Sequence, residues 1–114
     1  EKWILDIGCG KNKISKNAIG LDVRKTSSVD VVADARKLPF KNQSFHYIYA
    51  SHVIEHFSHR EVKNVLKEWI RVLRKDGIME IRCPDLRARA LLFVLNPTWK
   101  NVQYIYGGQD NTWN

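Results

Sequence analysis

Four short apolar runs rich in β-branched and aromatic residues open the chain: Trp3 to Ile7, Ala18 to Val23, Val29 to Ala33 and Phe45 to Ala50. Each is bounded by Gly, Asn, Ser, Asp or Pro, residues that interrupt regular structure, and each reads as a strand. The period then changes. Val62, Val65, Leu66, Trp69, Ile70 and Leu73 recur at three- and four-residue spacing, which lines up one apolar face of a helix. Ser58, followed three residues on by Glu61, predicts a capping box at the start of that helix, and Gly77 predicts a left-handed residue at its end. Beyond it, Met79, Ile81 and Cys83 alternate with Glu80 and Arg82 as in a strand with one polar face, and Pro84 stops the run. Asp85 would cap a further helix over 86–95, ended by Asn96-Pro97, ahead of an aromatic-rich tail with Trp99, Tyr104, Tyr106 and Trp113.

Strands alternating with crossovers and one strong helix predict an α/β fold with a doubly wound, mostly parallel sheet, whose ligands sit beyond the carboxyl ends of the strands. With 114 residues there is room for one compact core, so residues 1–114 read as one domain. The longest apolar run, Ala90 to Leu95, falls far short of the roughly twenty residues of a membrane span, and no signal-peptide pattern opens the chain. The expectation is a cytoplasmic protein without membrane contact. Cys9 and Cys83 form no CxxC pair, so neither a disulfide framework nor a zinc knuckle is expected. The net charge of +7 raises a nucleic-acid reading, but the basic residues are scattered and mixed with acids, as on a solvated surface. The chain opens at Glu1 without a methionine and ends in "QDNTWN", with no stop signal, which points to a piece of something longer.

The residues after the strands carry the chemistry. Asp6, Gly8 and Gly10 form D-x-G-x-G, where the glycines permit a sharp turn and leave no side chain between backbone and ligand. Asp22 follows the second strand and Asp34 the third. A carboxylate at the first position can accept both hydroxyls of a ribose, and one at the second can accept an exocyclic amine, so together they match adenosine. Lys13 stands where the nicotinamide fingerprint needs its third glycine, which disfavours a dinucleotide.

In that order the segments resemble the class I S-adenosylmethionine-dependent methyltransferases. "ILDIGCG" is similar to the first motif, "IGLDV" to the second-strand acid, "ADARKLPF" to the adenine-side motif, "SFHYIYASHVIEHF" to the fourth strand and its turn, and "RVLRKDGIMEI" to the helix-to-strand junction. The nearest variant is the type 11 group, with predicted members linked to cell-surface polysaccharide synthesis, which "CPDL" and "YGGQ" further down the chain also resemble. The resemblance implies strand order 3-2-1-4-5 and S-adenosyl-L-methionine as cofactor. It places Asp6, Gly8, Cys9 and Gly10 on the methionyl and ribose side, Asp22 on the ribose hydroxyls, Val23 on the adenine, Asp34 and Ala35 at its edge, and Ala50 beside the sulfonium. Only ten residues, Gly8 to Asn17, separate the first two strands, too few for the usual first helix. Bare amides from Gly8 to Lys11, helped by Lys11 or Lys13, are expected to replace that helix start. The family's last two strands would be absent, leaving the domain C-terminally incomplete and the fifth strand as an open edge through which a homodimer could form.

Methyl transfer requires alignment and desolvation, and a hydroxyl acceptor would also need a base, for which His52 and then His56 are the candidates. "HVIEH" also matches the zinc-protease pattern H-x-x-E-H, but that motif belongs inside one long helix, whereas here it follows a strand and precedes a capping box, so no metal is expected. Arg82, Arg87 and Arg89 near the fifth strand's end would attract an anionic acceptor. The expected activity is methyl transfer to a small molecule or saccharide, set against a non-catalytic cofactor-binding or assembly module and a nucleic-acid methyltransferase, with nucleic acid disfavoured.

Overall fold

The computed structural model describes residues 3–82 and 102–104. Its strands are β1 (Ile4–Ile7), β2 (Ile19–Asp22), β3 (Val31–Val32), β4 (Phe45–Ser51), β5 (Leu73–Arg82) and β6 (Val102–Tyr104), and among the described residues there is one α-helix, α1 (His59–Val72). They form one sheet of order β3-β2-β1-β4-β5-β6, with every neighbouring pair parallel. This is the doubly wound arrangement: the chain runs outward from β1 to β3, then returns to the centre and runs outward again, leaving a crevice beyond the strand ends where the direction reverses.

Period-two alternation decides which face is core. Leu5 and Ile7 of β1, Ile48 and Ala50 of β4, and Met79 and Ile81 of β5 are all essentially without exposure, and they pack on Val62, Val65, Leu66, Trp69 and Val72 of α1. The intervening positions, Ile4 and Asp6, Tyr47 and Tyr49, Glu80 and Arg82, lie on the opposite face in matching register. There the Tyr47 hydroxyl donates to Glu80, whose other oxygen accepts from Arg82 Nε at 2.9 Å. The helix starts as expected: Ser58 Oγ accepts from the Glu61 amide at 3.3 Å, and Glu61 Oε1 accepts from the Ser58 amide at 3.1 Å.

Its other end differs from expectation. The helix stops at Val72, and Leu73 is already extended, at φ −88° and ψ 137°. Leu73 pairs with Phe45 and Ile78 with Tyr47, so Arg74 to Gly77 bulge out opposite the single residue His46. Gly77 is therefore not a left-handed cap. It is needed for space, since a Cβ there would lie 2.8 Å from the His46 carbonyl.

The expected strand order holds from β3 to β5, and no helix occupies the first crossover. The fifth strand, however, is not the edge. Val102, Gln103 and Tyr104 pair with Met79, Glu80 and Ile81, so the chain's own β6 takes the position through which a dimer was expected. The expected helix over 86–95, Cys83, Arg87, Arg89 and most of the aromatic tail lie outside the described residues.

Candidate functional site

A cavity of about 470 Å³ opens beyond the carboxyl ends of β1 to β4. That size falls within the roughly 300–1,000 Å³ of small-molecule sites. Each strand contributes where it ends: Gly8 after β1, Leu21 to Val23 at β2, Ala33 to Arg36 after β3, and His52 and Val53 after β4. The 3₁₀ turn Ile54–His56 and the start of α1 close the far side with His56, Phe57 and Glu61.

Local backbone explains the first wall. Gly8 sits at φ +70°, and a Cβ on it would come within 2.5 Å of the Val53 side chain, so only glycine lets the β1 turn pass the β4 turn. The turn is tied to β2: the Gly8 and Cys9 amides donate to the Leu21 carbonyl at 2.7 and 3.2 Å, and the Gly10 amide to Asp22 Oδ2 at 2.9 Å. These amides are spent within the protein. The expectation that Gly8 to Lys11 would offer bare N–H groups to a ligand is thus corrected for Gly8, Cys9 and Gly10, because with no helix in the crossover the loop needs them to hold its own shape. Lys13 is engaged as well, with Nζ 3.0 Å from Asp30 Oδ2.

Of the sequence-expected binding residues, Gly8, Asp22, Val23, Asp34 and Ala35 line the cavity; Asp6, Cys9, Gly10 and Ala50 do not. Asp6 is 2 % exposed and its Oδ2 accepts from the Ile14 amide at 2.7 Å, so it anchors the loop from the strand. Burial pushes the Asp6 carboxyl up, against the pull of that amide and of Lys13. Cys9 is buried with its thiol 3.7 Å from the Ser28 carbonyl, and burial, with Asp6 and Asp22 nearby, raises that thiol to about 11. Ala50 is fully buried within the sheet.

The two remaining acids are presented differently. Asp22 accepts from the Gly10 amide through Oδ2 and from the Arg24 amide through Oδ1 at 3.2 Å, which leaves two of its roughly four lone-pair positions open. Asp34 is gripped by Arg36: Nε lies 3.0 and 3.2 Å from its two oxygens, Nη2 lies 2.7 Å from Oδ2, and the Arg36 amide donates to Oδ1 at 2.8 Å. These contacts, the Arg36 side chain first, hold the Asp34 carboxyl below its ordinary 3.8. Next to it, the buried Trp69 indole N–H donates to the Ala35 carbonyl at 2.9 Å and pins the turn to α1.

His52 and His56, the candidate bases, both reach the cavity. His52 follows β4 directly at φ +59°, a conformation a non-glycine residue rarely adopts, and its amide donates to the Arg82 carbonyl at 2.8 Å. Its Nδ1 lies 3.3 Å from Glu55 Oε2, while Glu55 Oε1 is buried without a partner. The segment from His52 to His56 is thus a strand end and one 3₁₀ turn, and among the described residues no group of three His, Cys, Asp or Glu side chains could hold a metal ion. Sequence reasoning missed Leu21, Ala33, Arg36, Val53, Phe57 and Glu61 as wall residues. Arg36 lay inside the adenine-side segment "ADARKLPF", and its two-residue spacing from Asp34 was the available signal.

A parallel sheet of this order, with a cavity where the strand order reverses, is the doubly wound, Rossmann-like arrangement. The methyltransferase-domain family model matches residues 5–81, and the chain belongs to that family. It is 42 % identical over 88 residues to the uncharacterized protein MJ1252 of Methanocaldococcus jannaschii, covering 67 % of this chain and 34 % of that protein. It is 34 % identical over 92 residues to a mouse protein named probable tRNA methyltransferase 9B, covering 68 % of this chain and 21 % of that one. Among solved structures, it superposes on the PH0226 protein of Pyrococcus horikoshii with TM-score 0.56 at 28 % identity, over 84 % of this chain and 54 % of that one. On the YcgJ protein of Bacillus subtilis the TM-score is 0.59 at 25 % identity, over 99 % of this chain and 58 % of that one. The chain thus spans about a third of the first sequence relative, about a fifth of the second and just over half of the two solved structures.

Proposed function

We propose that the chain binds S-adenosyl-L-methionine and forms the cofactor half of a methyltransferase acting on a small-molecule or saccharide acceptor. The observation that carries this reading is the cavity bounded by the Gly8 turn, Asp22 and Asp34 at adjoining strand tips. The residues fit the cofactor. The two open acceptor positions of Asp22 suit the two ribose hydroxyls, exposed Val23 offers an apolar surface to the adenine, and Asp34 with Ala35 faces its edge. When bound, the cofactor supplies a methyl carbon already activated by a sulfonium. The protein's share is alignment and proton removal. Glu55, an acceptor when ionised, can only take a hydrogen bond from His52, which would place the imidazole proton on Nδ1 and leave Nε2 free to accept an acceptor's hydroxyl proton. A cytoplasmic location belongs to the same proposal, since the buried free thiol of Cys9 suits a reducing compartment.

Calorimetric titration with S-adenosylhomocysteine tests the core of the reading. The wild type should bind in the micromolar range, and Asp22→Ala should lose about 1–3 kcal/mol with its ribose contacts. Equal binding by both proteins would reject the assignment of Asp22. An RNA acceptor is the second reading, favoured by the name of the mouse relative and by exposed Arg60, Lys63 and Lys67 on α1. RNA binding that weakens steeply between two salt concentrations would support it.

A further inference from the structure

Arg36 does more than line the cavity. Its Nε is shared between the two oxygens of Asp34, its Nη2 donates to Oδ2 and its own amide to Oδ1, so three hydrogens occupy the carboxylate and leave one of its roughly four acceptor positions open. The same guanidinium reaches across to α1, with Nη1 3.2 Å from Glu61 Oε2, while Glu61 Oε1 is committed to the Ser58 amide of the capping box. Asp34 is thus fixed by a strut along the cavity wall whose other end rests on the first turn of the helix.

We infer that Arg36 is a positioning residue for nucleobase selection, holding Asp34 so that its one open acceptor reads the 6-amino group of a purine and rejects a 6-oxo group. This rests on the cofactor reading above and goes beyond it. Asp34 alone, 43 % exposed at its side chain, would rotate freely in water, and a mobile carboxylate discriminates poorly between a donor and an acceptor. Held by the fork, it cannot turn away from a purine carbonyl, so two acceptors would face each other unpaired. Arginine is required because its planar donors match both carboxylate oxygens at once, whereas a lysine supplies a point charge.

The test compares S-adenosylhomocysteine with its 6-oxo counterpart, S-inosylhomocysteine, by calorimetry on wild type, Arg36→Ala and Arg36→Lys, with thermal melts as a check on folding. The wild type should prefer the adenosyl ligand at least tenfold, and both variants should lose most of that preference. If both ligands weaken equally in Arg36→Ala and the ratio is kept, Arg36 contacts the ligand or supports the wall without setting selectivity, and the inference is overturned. If Arg36→Lys retains the wild-type ratio, charge rather than the fork is responsible, and the inference is again overturned. Failure of wild type to bind S-adenosylhomocysteine would instead reject the cofactor reading. Selectivity is a ratio within each variant, so a general loss of stability does not mimic it.

Discussion

At the scale of single residues, two contacts set what can change. Gly8 holds a positive φ directly against Val53. Gly8→Ala should cost about 1–3 kcal/mol in backbone strain and, by displacing Val53, weaken S-adenosylhomocysteine binding; urea unfolding and calorimetry would show both. Burial first, then the Asp6 and Asp22 carboxylates, keep the Cys9 thiol protonated, raised to about 11. In a Cys83→Ser background, native protein at pH 8 should react with a disulfide reagent far more slowly than the same protein in urea, since the thiolate is the nucleophile. Fast native labelling would contradict the burial of Cys9.

At the scale of elements, the capping box of α1 bears on fold and cavity together, because Glu61 serves the Ser58 amide and Arg36 at once. Ser58→Ala should lower stability by about 1 kcal/mol, visible as a melting point several degrees lower. This box was legible in the sequence because its chemistry is local: two side chains three residues apart answer two free amides. The four early strands were legible because β-branched runs ended at turn residues, and the acids at their tips followed from parallel topology. What escaped depended on distant partners. Gly77 is a glycine because His46, thirty-one positions away, leaves no room for a Cβ. Gly8 to Gly10 spend their amides on Leu21 and Asp22 across the strand gap, and no pattern near the glycines announces those acceptors. The pairing of β6 with β5 likewise joins segments separated by a long stretch of chain.

At the scale of the whole molecule, the carboxylates set the response to acid. Arg71 first, with the Leu38 amide, holds Glu68 below its ordinary 4.5, and Asp30, Asp34 and Glu61 are lowered by amide and cationic partners. A carboxyl lowered on folding adds stability above its unfolded value, and that gain is lost as pH falls through the folded value. Asp6, raised by burial, works the other way and offsets part of the loss. Since Asp30, Asp34 and Glu61 have side chains 40–50 % exposed, Glu68 at 19 % should contribute most. The melting temperature should therefore hold steady from neutrality to about pH 5 and fall below the ordinary values of 4.5 and 3.8, with a shallower fall in Glu68→Gln. A midpoint that rises on acidification below pH 4.5 would show Asp6 to dominate.

The crossover after β1 has no helical ladder, yet Asp6 and Asp22 accept its Ile14 and Gly10 amides from the strands on either side. Those two hydrogens should therefore resist deuterium replacement on the timescale of the sheet rather than of a surface loop. Shortening either carboxylate's hold, as in Asp6→Ala, should release the whole segment to rapid isotope exchange at once, turning a stiff wall of the crevice into its fastest-breathing part.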